Sequence, residues 1–274
     1  MRILGLSTFL FILLSINKLS AQRITPETMQ AIFKKHGFDG CFVLYDKNLD
    51  EITTWNYKRA QKGFLPASTF KIVNSLIALE TGVATDEHFS IAWDGIKRSI
   101  EAWNQDQTME TAFKVSCVPF YQEIARRIGF LSMKKWVDTI PYGHMDITRK
   151  NLDTFWLEGN SQITPLQQLD FLRRFYHNKL PFSAKNIDIV KKIMINEQTD
   201  SYILRAKTGW ATMPDNVEIG WFIGYLEEGG NVYYFVCNIQ NNDTKSTDFS
   251  SARKAITCDI LKEAGLMTNI PNKE

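Results

Sequence analysis

"EIGWFIGYLEEGGNVYYFVCNIQ", residues 218–240, holds two runs of aromatic and β-branched residues parted by Glu-Glu-Gly-Gly. Such residues suit a pleated, mostly buried surface, and paired glycines give a tight reversal its backbone freedom. The stretch predicts two long antiparallel strands joined by a short turn. "YILRAKTGW" (202–210), just before it, reads as a third strand. Near the other end, "GCFVLYDKNLDEITTWN" (40–56) reads as a further hairpin around a polar turn. Between these strand-rich ends the chain is helical, over 68–80, about 120–129, 132–140, 164–178 and roughly 184–197. Thr164-Pro165 supplies a cap and a first helical residue, as Thr25-Pro26-Glu27 does for a helix that carries Met29, Ile32, Phe33 and His36 and stops at Gly37. The chain closes on an amphipathic helix from Ser251 to Leu266, with Ile256, Ile260, Leu261 and Ala264 at helical spacing. The economical fold is a mixed α/β one of the α+β kind. An antiparallel sheet comes from both termini and is flanked by helices, and a helical subdomain is inserted after the first hairpin. Residues 22–63 and about 180–274 form the sheet part and about 64–179 the helical part. A site is expected where the two parts meet.

The 274 residues are 44% hydrophobic and 23% charged, enough for a sizeable core. Arg2 precedes an uncharged run from Ile3 to Ile16, and Leu19-Ser20-Ala21 offers a small residue before Gln22, so residues 1–21 read as a secretory signal peptide. An uncleaved N-terminal anchor is the competing reading, though the run is short for a membrane span of about 20 residues, and no later stretch qualifies. Cleavage removes Arg2 and Lys18 and no acid, leaving thirty bases against thirty acids. No basic stripe points to nucleic acid. Cys41 and Cys237 lie in apolar strand-like runs, Cys258 lies on an amphipathic helix, and Cys117 is the fourth cysteine. Buried free thiols are expected, with the pairing left open.

"FLPASTFKIVNSLIALETG" (64–82) is apolar nearly all round yet opens on Ser68 and Lys71. A lysine there loses hydration, and no acid follows until Glu80, so its charge must be balanced from elsewhere or be absent. Ser-x-x-Lys alone is weak evidence. It recurs at Ser15–Lys18, Ser132–Lys135 and Ser251–Lys254, and a lone copy is more simply a capping serine with an unrelated lysine. Here Pro66 and Ala67 fix the helix entry, residues three apart share a face, and the unpaired N–H groups of a helix start favour an anion. A serine beside a basic amine suits acyl transfer. Ser116-Cys117-Val118 is the chain's sole Ser-x-Val, and Lys207-Thr208-Gly209 its sole Lys-Thr-Gly. The latter ends a strand, where glycine would let a substrate lie close to the backbone.

In that order the three motifs match the penicillin-recognising serine enzymes. Within that superfamily the chain resembles the class D β-lactamases, or oxacillinases. The resemblance rests on "PASTFK" (66–71), "SCVPFYQEIARRIG" (116–129), "YGH" (142–144), "FWLEG" (155–159), "QITPLQQLDFL" (162–172), "KTGW" (207–210) and "SARKAI" (251–256). The family usually has Tyr-Gly-Asn where this chain has Tyr142-Gly143-His144. The resemblance implies a penicillin-hydrolysing enzyme with Ser68 as nucleophile and Lys71 carrying CO2 as a carbamate, the general base. Ser116 and Lys207 would move a proton to the leaving nitrogen. Thr208 and Arg253 would hold the substrate carboxylate, and backbone N–H groups of Ser68 and Trp210 the oxyanion. Val118 would keep the lysine dry, Leu157 and Gly209 would line the pocket, and Trp156 would donate to the carbamate. No bound cofactor or metal is implied, and the histidines, His36, His88, His144 and His177, show no HExxH pair. The partner is a small β-lactam, a homodimer is compatible, and the location is the periplasm. The rival readings are a penicillin-binding transpeptidase or a β-lactam sensor, which would acylate and stall, and a binding module without catalysis.

Overall fold

The computed structural model describes residues 24–213, 216–241 and 248–268. The expected signal peptide, residues 1–21, lies outside them. Helix α1 (Pro26–His36) leads into the hairpin β1 (Asp39–Asp46) and β2 (Glu51–Trp55), then α2 (Tyr57–Ala60). The helical stretch holds α3 (Lys71–Glu80), a short pair β3 (Ser90–Ile91) and β4 (Gln107–Thr108), α4 (Met109–Lys114), α5 (Val118–Ile128), α6 (Phe130–Asp138), α7 (Pro165–Tyr176) and α8 (Ala184–Ile193). Strands β5 (Ile195–Gln198), β6 (Tyr202–Thr212), β7 (Glu218–Glu228) and β8 (Asn231–Asn241) follow, and α9 (Phe249–Glu263) closes the described chain. The main sheet runs β2-β1-β8-β7-β6-β5, antiparallel throughout. The N-terminal hairpin therefore joins the C-terminal strands through β1 and β8, as a sheet from both termini requires. Gly229 and Gly230, at φ +60° and +76°, make the β7–β8 reversal.

Both faces of this sheet are covered, which explains why 218–240 reads as an almost unbroken apolar run. Along β7, Ile219, Trp221, Ile223 and Tyr225 face the helical core around α3, α5 and α7, while Phe222 and Leu226 face α1 and α9. Strand β8 divides likewise, Tyr234 and Val236 on one side and Phe235, Cys237 and Ile239 on the other. Cys41, Cys117 and Cys237 are buried free thiols, and burial pushes Cys41 up to about 12.

Helix ends differ from the sequence reading by up to three residues elsewhere, and most at α8. The helix expected over 184–197 ends at Ile193, and Ile195–Gln198 turns into the edge strand β5, paired to β6 with a register shift between Ile195 and Glu197. A four-residue edge strand with only its first side chain part-covered carries no alternating pattern, so the preceding helical spacing runs on into it. No helix among the described residues is long and apolar enough to cross a membrane.

Candidate active site

Ser68 does not open α3 directly. It lies in a 3₁₀ turn, Ala67–Phe70, that feeds the helix beginning at Lys71. Ala67, fully buried, takes the left-handed conformation at φ +49°. For a residue with a Cβ that geometry is strained and must be held from outside. Four contacts hold it. Thr69 Oγ1 donates to Pro66 O at 2.6 Å and accepts from Gln168 Nε2 at 2.8 Å; its remaining lone pair takes the Tyr142 hydroxyl at 3.1 Å. Trp221 Nε1 donates to Leu65 O at 2.9 Å. Strand β7 and helix α7 thus grip one small turn and leave Ser68 at the surface of the cleft.

Lys71 is completely buried, and its Nζ donates to Ser68 Oγ at 2.8 Å. Its amine also lies 5.2 Å from the centre of the Tyr121 ring. Desolvation lowers its pKa from the ordinary 10.5 to about 7, so near neutrality much of the amine is uncharged. That answers the charge question posed by 64–82: the surroundings remove the charge. Trp156 is also fully buried, stacked on Phe70 with ring centres 5.6 Å apart, and its indole N–H has no acceptor. A buried donor without a partner costs about 1–3 kcal/mol, so this indole N–H carries unmet hydrogen-bonding capacity.

Ser116 occupies the turn between α4 and α5 at φ +55°, again a left-handed non-glycine residue. Its Oγ accepts from Lys207 Nζ at 3.0 Å. Lys207 also donates to Thr208 O at 3.1 Å and Thr208 Oγ1 at 3.3 Å. Burial first, then the charges of Lys71, Arg253 and Lys254, holds Lys207 well below the ordinary lysine range. Two lysines from distant parts of the chain are therefore each paired with a serine and each made reluctant to stay charged.

Gly209 lines the cleft, and its lack of a side chain also serves the packing behind it. A side chain there would point into the protein, its Cβ 3.1 Å from Thr69 Cγ2 and Trp221 Cδ1 and 3.2 Å from Pro66 O. The glycine lets β6 lie against the Ser68 turn, which sets the spacing between the two serine–lysine pairs. Thr208 and the half-exposed Trp210 flank it on the cleft side. The cleft encloses about 790 Å³, and Ser68, Ser116, Val118, Leu157, Thr208 and Arg253 line it. Arg253 is buried, desolvation lowers its pKa to about 10, and its Nε and Nη1 have no hydrogen-bond partner. Lys114 and Lys254 also line the cleft and no carboxylate among the described residues does, so it favours an anionic ligand. A groove of the same volume beside the start of α1 and β2 has no serine, cysteine, histidine or lysine among the described residues of its wall, so size alone does not locate the chemistry.

His144 meets Gln162 through backbone bonds, N to O at 2.8 Å and O from N at 2.7 Å, and its side chain is exposed. Met213 packs on Leu65, Ala67 and Ala211 beside the Ser68 turn. Trp103, whose Nε1 donates to Val115 O at 3.1 Å, and Lys114 line the cleft although no motif marked them. They reach it through the tertiary fold alone.

The profile of the penicillin binding protein transpeptidase domain matches residues 40–262. The chain is 42% identical to β-lactamase OXA-48 of Klebsiella pneumoniae over 265 residues, 96% of this chain and 98% of that protein. It is 41% identical over 231 residues to the probable β-lactamase YbxI of Bacillus subtilis (strain 168), covering 84% of this chain and 83% of that one. Among solved structures, the class D β-lactamase YbXI from Nostoc superposes with a TM-score of 0.83 at 44% identity, covering 87% of this chain and 99% of that chain. With its fold, its three motifs and these likenesses in agreement, the chain belongs to the class D β-lactamases within the penicillin-binding transpeptidase family.

Proposed function

We propose that the protein hydrolyses the lactam amide of penicillins through an acyl-enzyme on Ser68. The observation that carries this is the 2.8 Å contact between Ser68 Oγ and the amine of a lysine that burial has brought to a pKa of about 7. A base poised near the working pH gives the best compromise between being unprotonated and being able to accept. Lys71 therefore takes the hydroxyl proton as Oγ attacks the strained carbonyl. Backbone N–H groups of Ser68 and Trp210 receive the developing oxyanion, a contribution of about 3–4 kcal/mol per donor where one has been removed from a serine hydrolase. Ser116 gives its proton to the departing ring nitrogen and is resupplied by Lys207 across 3.0 Å. Arg253 and Thr208 hold the substrate carboxylate, for which the fork of unpaired guanidinium N–H groups is well shaped. Val118 and Leu157 exclude water from the walls.

The pocket also suits a carbamate formed from CO2 on Lys71. Only a neutral amine takes up CO2, and burial makes this one largely neutral; the partnerless Trp156 N–H is a donor for an added oxygen. When present, the group would supply an anionic oxygen base able to activate the water that clears the acyl-enzyme. Residues 1–21 would direct the chain to the periplasm. A homodimer is compatible with this reading. The test is to incubate the purified protein with benzylpenicillin, trap it in acid and map the adduct. An adduct on the peptide containing Ser68, absent from Ser68→Ala, supports the reading; an adduct elsewhere, or full activity in Ser68→Ala, overturns it.

A further inference from the structure

Arg253 poses a packing problem. Nothing among the described residues pairs with its Nε or Nη1, so no hydrogen bond from those atoms to them turns the guanidinium toward the cleft. Its position is set by what lies against it, and the ring of Trp210 does, with Cζ 5.7 Å from the ring centre. Trp210 is in turn 44% exposed, and its cross-strand neighbour on β7 is Gly220, which offers no side chain to hold an indole. The space over Gly220 is taken by Ile239 and Phe249, whose Cγ1 and Cζ would lie 2.8 and 3.0 Å from a Cβ at that position. Phe249 meets Trp210 edge to face, 5.5 Å between centres at 70°. These contacts place the indole without fixing its rotation. The hydrogen bond from Trp210 Nε1 to Glu218 Oε1, at 3.0 Å, does that. The other carboxylate oxygen, Oε2, accepts from Asn241 Nδ2 at 2.9 Å, so strand β8 steadies Glu218.

We propose that Glu218 is a positioning residue for substrate recognition: by fixing the Trp210 indole against Arg253, it keeps the guanidinium aimed at the carboxylate of the bound β-lactam. A carboxylate suits the task because each oxygen accepts one N–H, tying β6 and β8 through β7. Glu218 touches neither substrate nor reacting atoms. The proposal rests on the β-lactamase reading above.

The experiment compares the parent, Glu218→Ala, Glu218→Gln and Trp210→Phe with benzylpenicillin and with its methyl ester, which lacks the carboxylate. Glu218→Ala should raise KM for the acid roughly three- to tenfold, the scale of one hydrogen bond, with kcat within about twofold. The ester should show no such change. Glu218→Gln keeps an oxygen acceptor and should return KM to near the parent value. Trp210→Phe keeps a ring but lacks the N–H; it should behave as Glu218→Ala, and the double variant should be no worse than either. Equal effects on acid and ester, a fall in kcat at constant KM, or a Glu218→Gln variant as poor as Glu218→Ala would overturn the proposal while leaving the β-lactamase reading intact. A parent that reacts with neither compound would overturn that reading and the proposal with it.

Discussion

Replacing Lys71 by methionine should abolish turnover and stabilise the fold. Each tenfold change in proton affinity corresponds to about 1.4 kcal/mol. Burial lowers Lys71 from 10.5 to about 7, so at pH 7.5 the unfolded chain holds a proton there that the folded chain mostly lacks. The linkage cost to the fold at that pH is about 4 kcal/mol, rising to about 5 kcal/mol below pH 7, where the lysine is protonated in both states. Methionine removes this cost but forfeits the 2.8 Å contact with Ser68 and the fit of the amine, so the net gain should be about 2 kcal/mol. For a chain of this size that is a rise of roughly 4–8 °C in Tm. The sign with pH is fixed. Between about 7 and 10.5 the unfolded state binds more protons, so the parent gains stability as pH rises and the methionine variant does not gain with it. Melting curves in CO2-free buffer at several pH values should show the variant's advantage largest at pH 7 and below and shrinking toward pH 10. A variant less stable than the parent at pH 7, or an advantage independent of pH, would refute the claim that Lys71 is held neutral by burial.

Trp156→Phe deletes a buried donor that has no acceptor in the protein, so its Tm should stay within a few degrees while penicillin turnover falls about tenfold or more and depends more steeply on added bicarbonate. Gly209→Ala drives a Cβ to 3.1 Å from Thr69 and Trp221; it should cost about 1–3 kcal/mol in chemical denaturation and slow acylation, by moving β6 from the Ser68 turn. His144→Asn restores the family's usual residue at an exposed side chain that bonds only through its backbone, and both kcat and Tm should be unchanged within error.

Much of this architecture is legible in the sequence because long strands buried on both faces leave an unmistakable apolar run, as Ile219–Leu226 does. Pro and Gly punctuate the longer helices in the same way. The edge strand β5 is not legible, because one part-covered side chain makes no pattern. Of the site, Ser68 and Lys71 stand out because a lysine in an apolar segment is chemically odd, and Lys207 only because its Lys-Thr-Gly completes the order of the three motifs. Arg253 and Trp156 do not: one opens an amphipathic helix and the other reads as a core aromatic, and only family resemblance singles them out. Their distinguishing property is an unpaired buried N–H, which exists only in three dimensions. The inward packing at Gly209 and the strained turns at Ala67 and Ser116 are equally properties of the packed fold.

The central claim is that Ser68 is acylated and then freed by a base centred on a neutral Lys71. It is tested most directly by following benzylpenicillin loss and intact protein mass together, with and without bicarbonate. Many turnovers per molecule, faster with bicarbonate and with only a transient adduct, are what the account predicts. A single stable adduct with no turnover under either condition would contradict it and assign the chain to a sensor or a cell-wall enzyme.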